Sequence, residues 1–288
     1  MMNFGKLLTA MVTPFDRELN IDFEKTTELI EYLIKNGTDG LVVVGTTGES
    51  PTLSVDEKLQ LFEHVVKTVN KRVPVIAGTG SNNTLASIKL TKEAEKLGVD
   101  AALLVTPYYN KPNQAGLYEH FRTIATQTKL PIMLYNIPGR SVVSLDVDTI
   151  VRLSKIENIV SVKDSSGDLD SITKIIEQTD PNFSLYSGDD NLTLPIMSVG
   201  GDGVVSVSSH VLGNEMKQMI TSFNQGDVGK AALLHQQLLP KMKGIFMAPS
   251  PAPVKAALRL KGIDTGGVRL PLVELSYEQE EELKNLFQ

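Results

Sequence analysis

A lysine that ends a run of aliphatic residues is the first feature able to carry chemistry. Lys163 closes Ile159-Val160-Ser161-Val162-Lys163, where a strand buried on both faces would normally place another aliphatic or small residue. An amine enclosed there loses hydration, and desolvation favours the neutral, nucleophilic form that attacks a carbonyl carbon to give an imine. A second reading stands beside this one: the side chain escapes to solvent at the strand end and pairs with Asp164. Tyr135 ends the preceding aliphatic run, one strand–helix unit upstream. Adjacent parallel strands lie about 4.8 Å apart, so side chains at matching strand ends can meet over one small ligand. Imine formation expels water, and a phenol beside the amine can deliver the proton this requires. The plain alternative for Tyr135 is a core aromatic.

Other polar groups fall at the ends of the same kind of run. Gly45-Thr46-Thr47-Gly48-Glu49 lacks the GK[ST] of a phosphate loop. Its two hydroxyls and turn N–H groups suit a small carboxylate, or the glycines simply make a turn before a helix capped by Ser54. Arg140 follows Pro138-Gly139; its planar fork fits a carboxylate of a substrate or of a neighbouring acid equally well. Tyr108-Tyr109 reads as an interface or a loop core as readily as a catalytic pair. Asp164, Asp168 and Asp170 lack calcium-loop spacing, and the four histidines show neither HxH nor HExxH. No metal or other cofactor is expected, so the chemistry should come from side chains alone.

These groups need elements to hold them. Short aliphatic runs at Leu7–Val12, Gly40–Val44, Val73–Ala77, Ala101–Val105, Pro131–Tyr135, Ile159–Lys163, Phe183–Tyr186 and Gly203–Val207 predict eight buried strands. Amphipathic stretches such as Asp22–Asn36, Val55–Asn70, Thr84–Leu97 and Gln114–Thr128 alternate with them. Strict alternation implies parallel strands with right-handed crossovers, and eight units imply an α/β fold of the (β/α)8 barrel type. The doubly wound open sheet is the rival, but the first strand runs into Thr13-Pro14-Phe15-Asp16 without a GxGxxG turn. Barrel active sites lie at the C-terminal strand ends, where all the groups above fall. The barrel is expected over 1–225. Residues 226–288 are expected to form a C-terminal helical region packed on it.

Composition narrows the class. With 41% hydrophobic and 22% charged residues in 288, the chain has the balance of a soluble globular protein. A net charge of −6 with scattered Lys and Arg argues against nucleic acid. No run of about 18 apolar residues spans a membrane, and the N-terminal stretch lacks a signal-peptide pattern. The absence of cysteine excludes disulfides and thiolate chemistry and fits the cytoplasm.

Two stretches taken together, Gly45-Thr46-Thr47-Gly48-Glu49-Ser50 and Tyr135-Asn136-Ile137-Pro138-Gly139-Arg140 followed by Ser161-Val162-Lys163-Asp164-Ser165, resemble the pyruvate-dependent aldolase and lyase superfamily and, within it, the dihydrodipicolinate synthase family. The likeness runs nearly end to end. It implies that Lys163 forms an imine with pyruvate and that Tyr135, Thr46 and Tyr109 relay protons, Tyr109 from a neighbouring subunit. It implies that Thr47 holds the pyruvate carboxylate, Arg140 the carboxylate of L-aspartate 4-semialdehyde, and that Gly188 and Val205 line the pocket. The implied assembly is a homotetramer, a dimer of dimers. Within the superfamily a lyase for N-acetylneuraminate or a 2-keto-3-deoxy sugar acid is the alternative, and a non-catalytic keto-acid binder another. Relatives inhibited by lysine use a site for which Ser50, Asn82 and Tyr108 match, whereas Val55, Lys58 and Ala86 replace two histidines and a glutamate. Feedback by lysine is therefore expected to be weak or absent.

Overall fold

The computed structural model describes residues 4–287; residues 1–3 and 288, the outer ends of the two expected regions, lie outside the described residues. Eight strands, β1 (Leu7–Ala10), β2 (Gly40–Val43), β3 (Val75–Gly78), β4 (Ala101–Val105), β5 (Ile132–Asn136), β6 (Ile159–Asp164), β7 (Ser184–Ser187) and β8 (Gly203–Ser206), close into a parallel barrel. Each pairs with its sequence neighbour, and β1 closes on β8 through Leu8 opposite Val205. Helices between them form the outer layer, as the alternating texture predicts.

Strand alternation divides the apolar residues into two cores. Leu8, Val42, Ile76, Leu103, Met133 and Val205 fill the barrel interior. Their neighbours Leu7, Leu41, Val75, Leu104, Leu134 and Val204 belong to the layer between barrel and helices. Each fully buried aliphatic side chain contributes about 1.5–3 kcal/mol. Both faces of every strand are therefore apolar, and the strands show no polar alternation in sequence. Three strands, β3, β5 and β7, start later than the aliphatic runs. Pro74 and Pro131 have no N–H for a ladder and serve only as acceptors, for Leu41 N and Ala102 N at 2.9 Å each.

Helix starts follow local chemistry. Asp22 caps Phe23–Lys35 by accepting from Lys25 N, and Ser54 with Glu57 makes a full capping box for Val55–Val69. The last barrel helix begins at Ser209 and runs to Asn224. Ser209 N donates to Ser206 Oγ at 2.8 Å, while His210 bridges Val12 N and the Val207 carbonyl. Leu212, at φ −126°, breaks the helical regularity, so the apolar periodicity starts only after the break. The chain continues through Val228–Gly244, Ala252–Leu260 and Tyr277–Phe287. Of these, Ala252–Leu260 is buried from Ala252 to Leu258, including Lys255.

Candidate active site

Lys163 and Tyr135 stand directly opposite each other in the β5–β6 register. Tyr135 belongs to the barrel interior and Val162 to the outer layer, so alternation turns Lys163 inward. The amine lies 4.1 Å from the centre of the Tyr135 ring, and the two residues are only 5% and 4% exposed. Pairing with Asp164 does not occur, because that carboxylate faces the other side of β6. It accepts from Ser166 N and Oγ through one oxygen and from Asn136 Nδ2, at 2.8 Å, through the other. Among the described residues no carboxylate lies within ion-pairing distance of Lys163. Asp189 is close enough to feel its charge: burial raises that carboxyl above the usual range, with Lys163 pulling it down.

Gly188 makes room for the lysine. Its N–H donates to the Asp164 carbonyl at 2.7 Å, and a Cβ there would stand 1.9 Å from Ser165 Oγ and 2.9 Å from Lys163 Cε. Val205 lies inside the barrel on β8. The end of β8 is held by the buried Asp190, whose Oδ2 accepts from Val207 N and Ser208 N; burial raises its carboxyl too.

The turn after β2 presents its polar groups toward the mouth. Gly48 N and Ser50 N bond to the Gly45 carbonyl, and Glu49 N bonds to that of Thr46. These bonds consume three of the loop's N–H groups. The N–H and hydroxyl groups of Thr46 and Thr47 have no hydrogen-bond partner among the described residues, which leaves two pairs of donors for a carboxylate. Thr13 Oγ1 fixes the turn from below by donating to the Gly48 carbonyl at 2.7 Å. Thr46 is half-buried and Thr47 buried.

Thr46, Tyr135 and Arg140 line one cavity, with Leu103, Val105 and Ile137 as its apolar wall. Arg140 sits in the short helix Pro138–Ser141, exposed and without an ion-pair partner among the described residues. Its fork is therefore free for a ligand. Val205 and the inward-turned Lys163 belong to the barrel interior, while Thr47 and Gly188 follow the ends of β2 and β7; none of the four lines this cavity. Tyr109 is the exception: its ring is 89% exposed, on backbone held at φ +73°, and its own chain does not bring it to the cavity. Ser50 and Tyr108 line the cavity as well, although the residue pattern singled out neither as a wall residue. Also unforeseen was the buried ion pair of Glu49 with Lys255, since a lysine inside a tail helix reads as solvated. Among the described residues no three His, Cys, Asp or Glu side chains could hold a metal ion, and no helix is long and apolar enough to cross a membrane.

The profile of the dihydrodipicolinate synthetase family matches residues 3–288. Over 279 residues, 96% of each chain, the protein is 63% identical to a 4-hydroxy-tetrahydrodipicolinate synthase of Bacillus subtilis. A crystal structure of a dihydrodipicolinate synthase from Bacillus anthracis superposes with a TM-score of 0.99 at 60% identity, covering 100% of this chain and 98% of that one. A dihydrodipicolinate synthase from Acinetobacter baumannii, complexed with pyruvate, superposes with a TM-score of 0.95 at 41% identity over 99% and 98%.

The space left by Gly188 gives a direct test. In Gly188→Ala the nearest clashing atoms belong to movable side chains, so overpacking should cost only about 1–3 kcal/mol of stability. The displaced Lys163 should react with pyruvate about tenfold or more slowly, as small misplacements at a reacting centre do. Melting temperature and borohydride-trapped adduct, measured on the same samples, check the two halves. Wild-type trapping would mean the lysine does not need that space.

Proposed function

The chain belongs to the dihydrodipicolinate synthetase family, and from that premise we propose that it condenses pyruvate with L-aspartate 4-semialdehyde to 4-hydroxy-tetrahydrodipicolinate, the first committed step of diaminopimelate and lysine biosynthesis. The observation that carries the reading is the buried, unpaired Lys163 amine against the Tyr135 ring at the C-terminal end of the barrel. Sequence identity to enzymes named as synthases supports this acceptor over a sugar acid.

In this reading the Lys163 amine adds to C2 of pyruvate, and the carbinolamine loses its hydroxyl as water, protonated through the relay of Tyr135 and Thr46. Loss of a C3 proton gives the enamine, whose carbon adds to the aldehyde of the semialdehyde. The substrate's own amine then attacks the imine carbon, closing the ring and releasing Lys163. Thr47, with free hydroxyl and N–H, holds the pyruvate carboxylate, and the unpaired Arg140 receives that of the semialdehyde. Gly188 and Val205 shape the floor. Tyr109 completes the relay from a second subunit. A bulky residue at positive φ costs about 1–3 kcal/mol, and the cross-bonded Asn82, Tyr108 and Asn110 brace it there. That supports a two-fold partner, and a homotetramer built from two such pairs.

The nucleophile is tested by replacement. Lys163→Ala should fold and lose most turnover, while borohydride reduction of wild type with pyruvate should place the adduct on Lys163. Mass mapping to another lysine would sink the mechanism. Tyr135→Phe keeps the ring against the amine and should lower kcat by about 10²–10⁴-fold; a loss below about threefold would make the hydroxyl structural.

Lysine should act weakly. Ala86 offers no acceptor for a ligand ammonium, and Lys58, half-buried on the helix Val55–Val69, adds like charge. An ammonium left unpaired in a partly buried cleft costs several kcal/mol. Turnover in L-lysine at about 1 mM should match the uninhibited rate; a binding energy above about 4 kcal/mol, seen as inhibition well below that concentration, would show that the cleft supplies another acceptor.

A further inference from the structure

Behind the threonine turn lies a charged cluster that the reaction does not use. Glu49 is the turn's last residue, held at φ +57°, a left-handed conformation that a residue with a Cβ adopts only under constraint. This conformation turns its side chain away from the mouth and into a closed pocket. There Oε1 meets Lys255 Nζ at 2.9 Å, with side-chain exposures of 0% and 1%. Glu49 Oε2 accepts from Arg269 N at 2.9 Å. Lys255 comes from the helix Ala252–Leu260, donates to the Gly267 carbonyl at 2.6 Å and lies 4.3 Å from the centre of the Phe15 ring. Arg269 extends the grip by donating to the Thr52 carbonyl and to Glu57 Oε1. The turn is thus clamped at Glu49, Thr52 and Glu57 by residues from the far end of the chain.

Stability alone does not account for such a pair. Two buried charges lose more hydration than their attraction usually returns, and apolar residues of similar volume commonly serve as well or better. A carboxylate fixed by both an ammonium and a backbone N–H has, however, little freedom to move. Two and three residues before it, across Gly48, stand Thr47 and Thr46, whose four free donors form the carboxylate nest.

We infer that the Glu49–Lys255 pair is a positioning device, through which the C-terminal helical region sets the place of Thr46 and Thr47 and so the affinity for the carboxylate of the 2-oxo acid. Glu49 and Lys255 are positioning residues, acting through the threonines. The inference rests on the proposed imine chemistry and on Thr47 as the carboxylate's holder.

Removing one charge strands the other, so the two are replaced together as Glu49→Gln with Lys255→Met. The readout is the pyruvate concentration that half-saturates borohydride trapping at Lys163, which does not depend on the acceptor. The double variant should melt within about 5 °C of wild type, yet its half-saturating pyruvate concentration should rise about tenfold or more. The KM for the semialdehyde should stay within about twofold, since Arg140 sits on another loop. A second variant, Glu49→Gln alone, guards against a folding failure. Glutamine keeps the shape and a carbonyl oxygen that can accept from Lys255 Nζ, so the ammonium, already pulled down to about 8 by burial against the upward pull of Glu49, is left with a polar partner. That variant should raise half-saturation about threefold, and it decides the matter if the double variant does not fold. Unchanged pyruvate saturation in the folded variants, or an equal loss for both substrates, would overturn the inference. Failure of wild type to trap pyruvate at Lys163 would instead overturn the proposed function.

Discussion

Two side chains on neighbouring parallel strands meet only if the strands are in register and the same alternation phase points both inward. The pairing of Tyr135 with Lys163 satisfies both conditions, and the rest of the mouth depends on it. A slip of one residue would exchange Lys163 for Val162 or Asp164 and send the amine into the apolar outer layer. The interior and exterior cores resist this slip from both sides, because every strand carries apolar groups on each face. Asn136 and Asp164 add a specific lock by bonding side chain to side chain across the same two strands, one step beyond Tyr135 and Lys163. The carboxylate next to the lysine in sequence is thus engaged in aligning it.

Polar groups at the mouth fall into two sets. One set is satisfied within the protein and fixes backbone: Asp164 on Ser166, Asp190 on the end of β8, Thr13 on Gly48. The other set, the donors of Thr46 and Thr47, the Lys163 amine and the Arg140 fork, is left without protein partners. Buried polar groups such as Thr47 and Lys163 are rarely left so, and Thr46 and Arg140 from the same set line one cavity with Tyr135, which makes this rim the candidate site. The saturated set keeps the unsaturated one in place, which matches the general need for supporting bonds behind reactive groups.

Close packing shapes the same region. Gly188 gives Lys163 Cε its space, and Gly80 and Gly78 bring the β3 end against the backbone of neighbouring strands, where a Cβ would fall 2.4 Å from Val105 N or 2.3 Å from the Val44 carbonyl oxygen. Strain is accepted where it directs a side chain: Glu49 inward to its ion pair and Tyr109 outward to solvent. The C-terminal helices, superfluous to closing a barrel, supply Lys255 and the segment bearing Arg269 to the underside of the threonine turn.

By itself the sequence determined the barrel over the open sheet, because eight buried aliphatic runs alternate with helices and the first turn lacks the GxGxxG of a doubly wound fold, and it determined that the polar strand ends share one rim. It also marked Lys163, Tyr135, Thr46 and Arg140, since each interrupts a local pattern that has a simple physical expectation. What it left open were choices between partners. Whether Lys163 would meet Asp164 or Tyr135 turned on which face of β6 each residue occupied. Whether Arg140 would be free turned on the absence of an acid in loops distant in sequence. Pro74 and Pro131 shifted strand starts through single missing N–H groups, and Leu212 interrupts its helix by a backbone torsion that apolar periodicity does not register. Lys255 and Glu49 could not be paired from sequence, because each alone reads as an ordinary solvated charge. Only the folding of the tail against the barrel excluded water from both, and a buried charge declares itself through its surroundings and not through its neighbours in the chain.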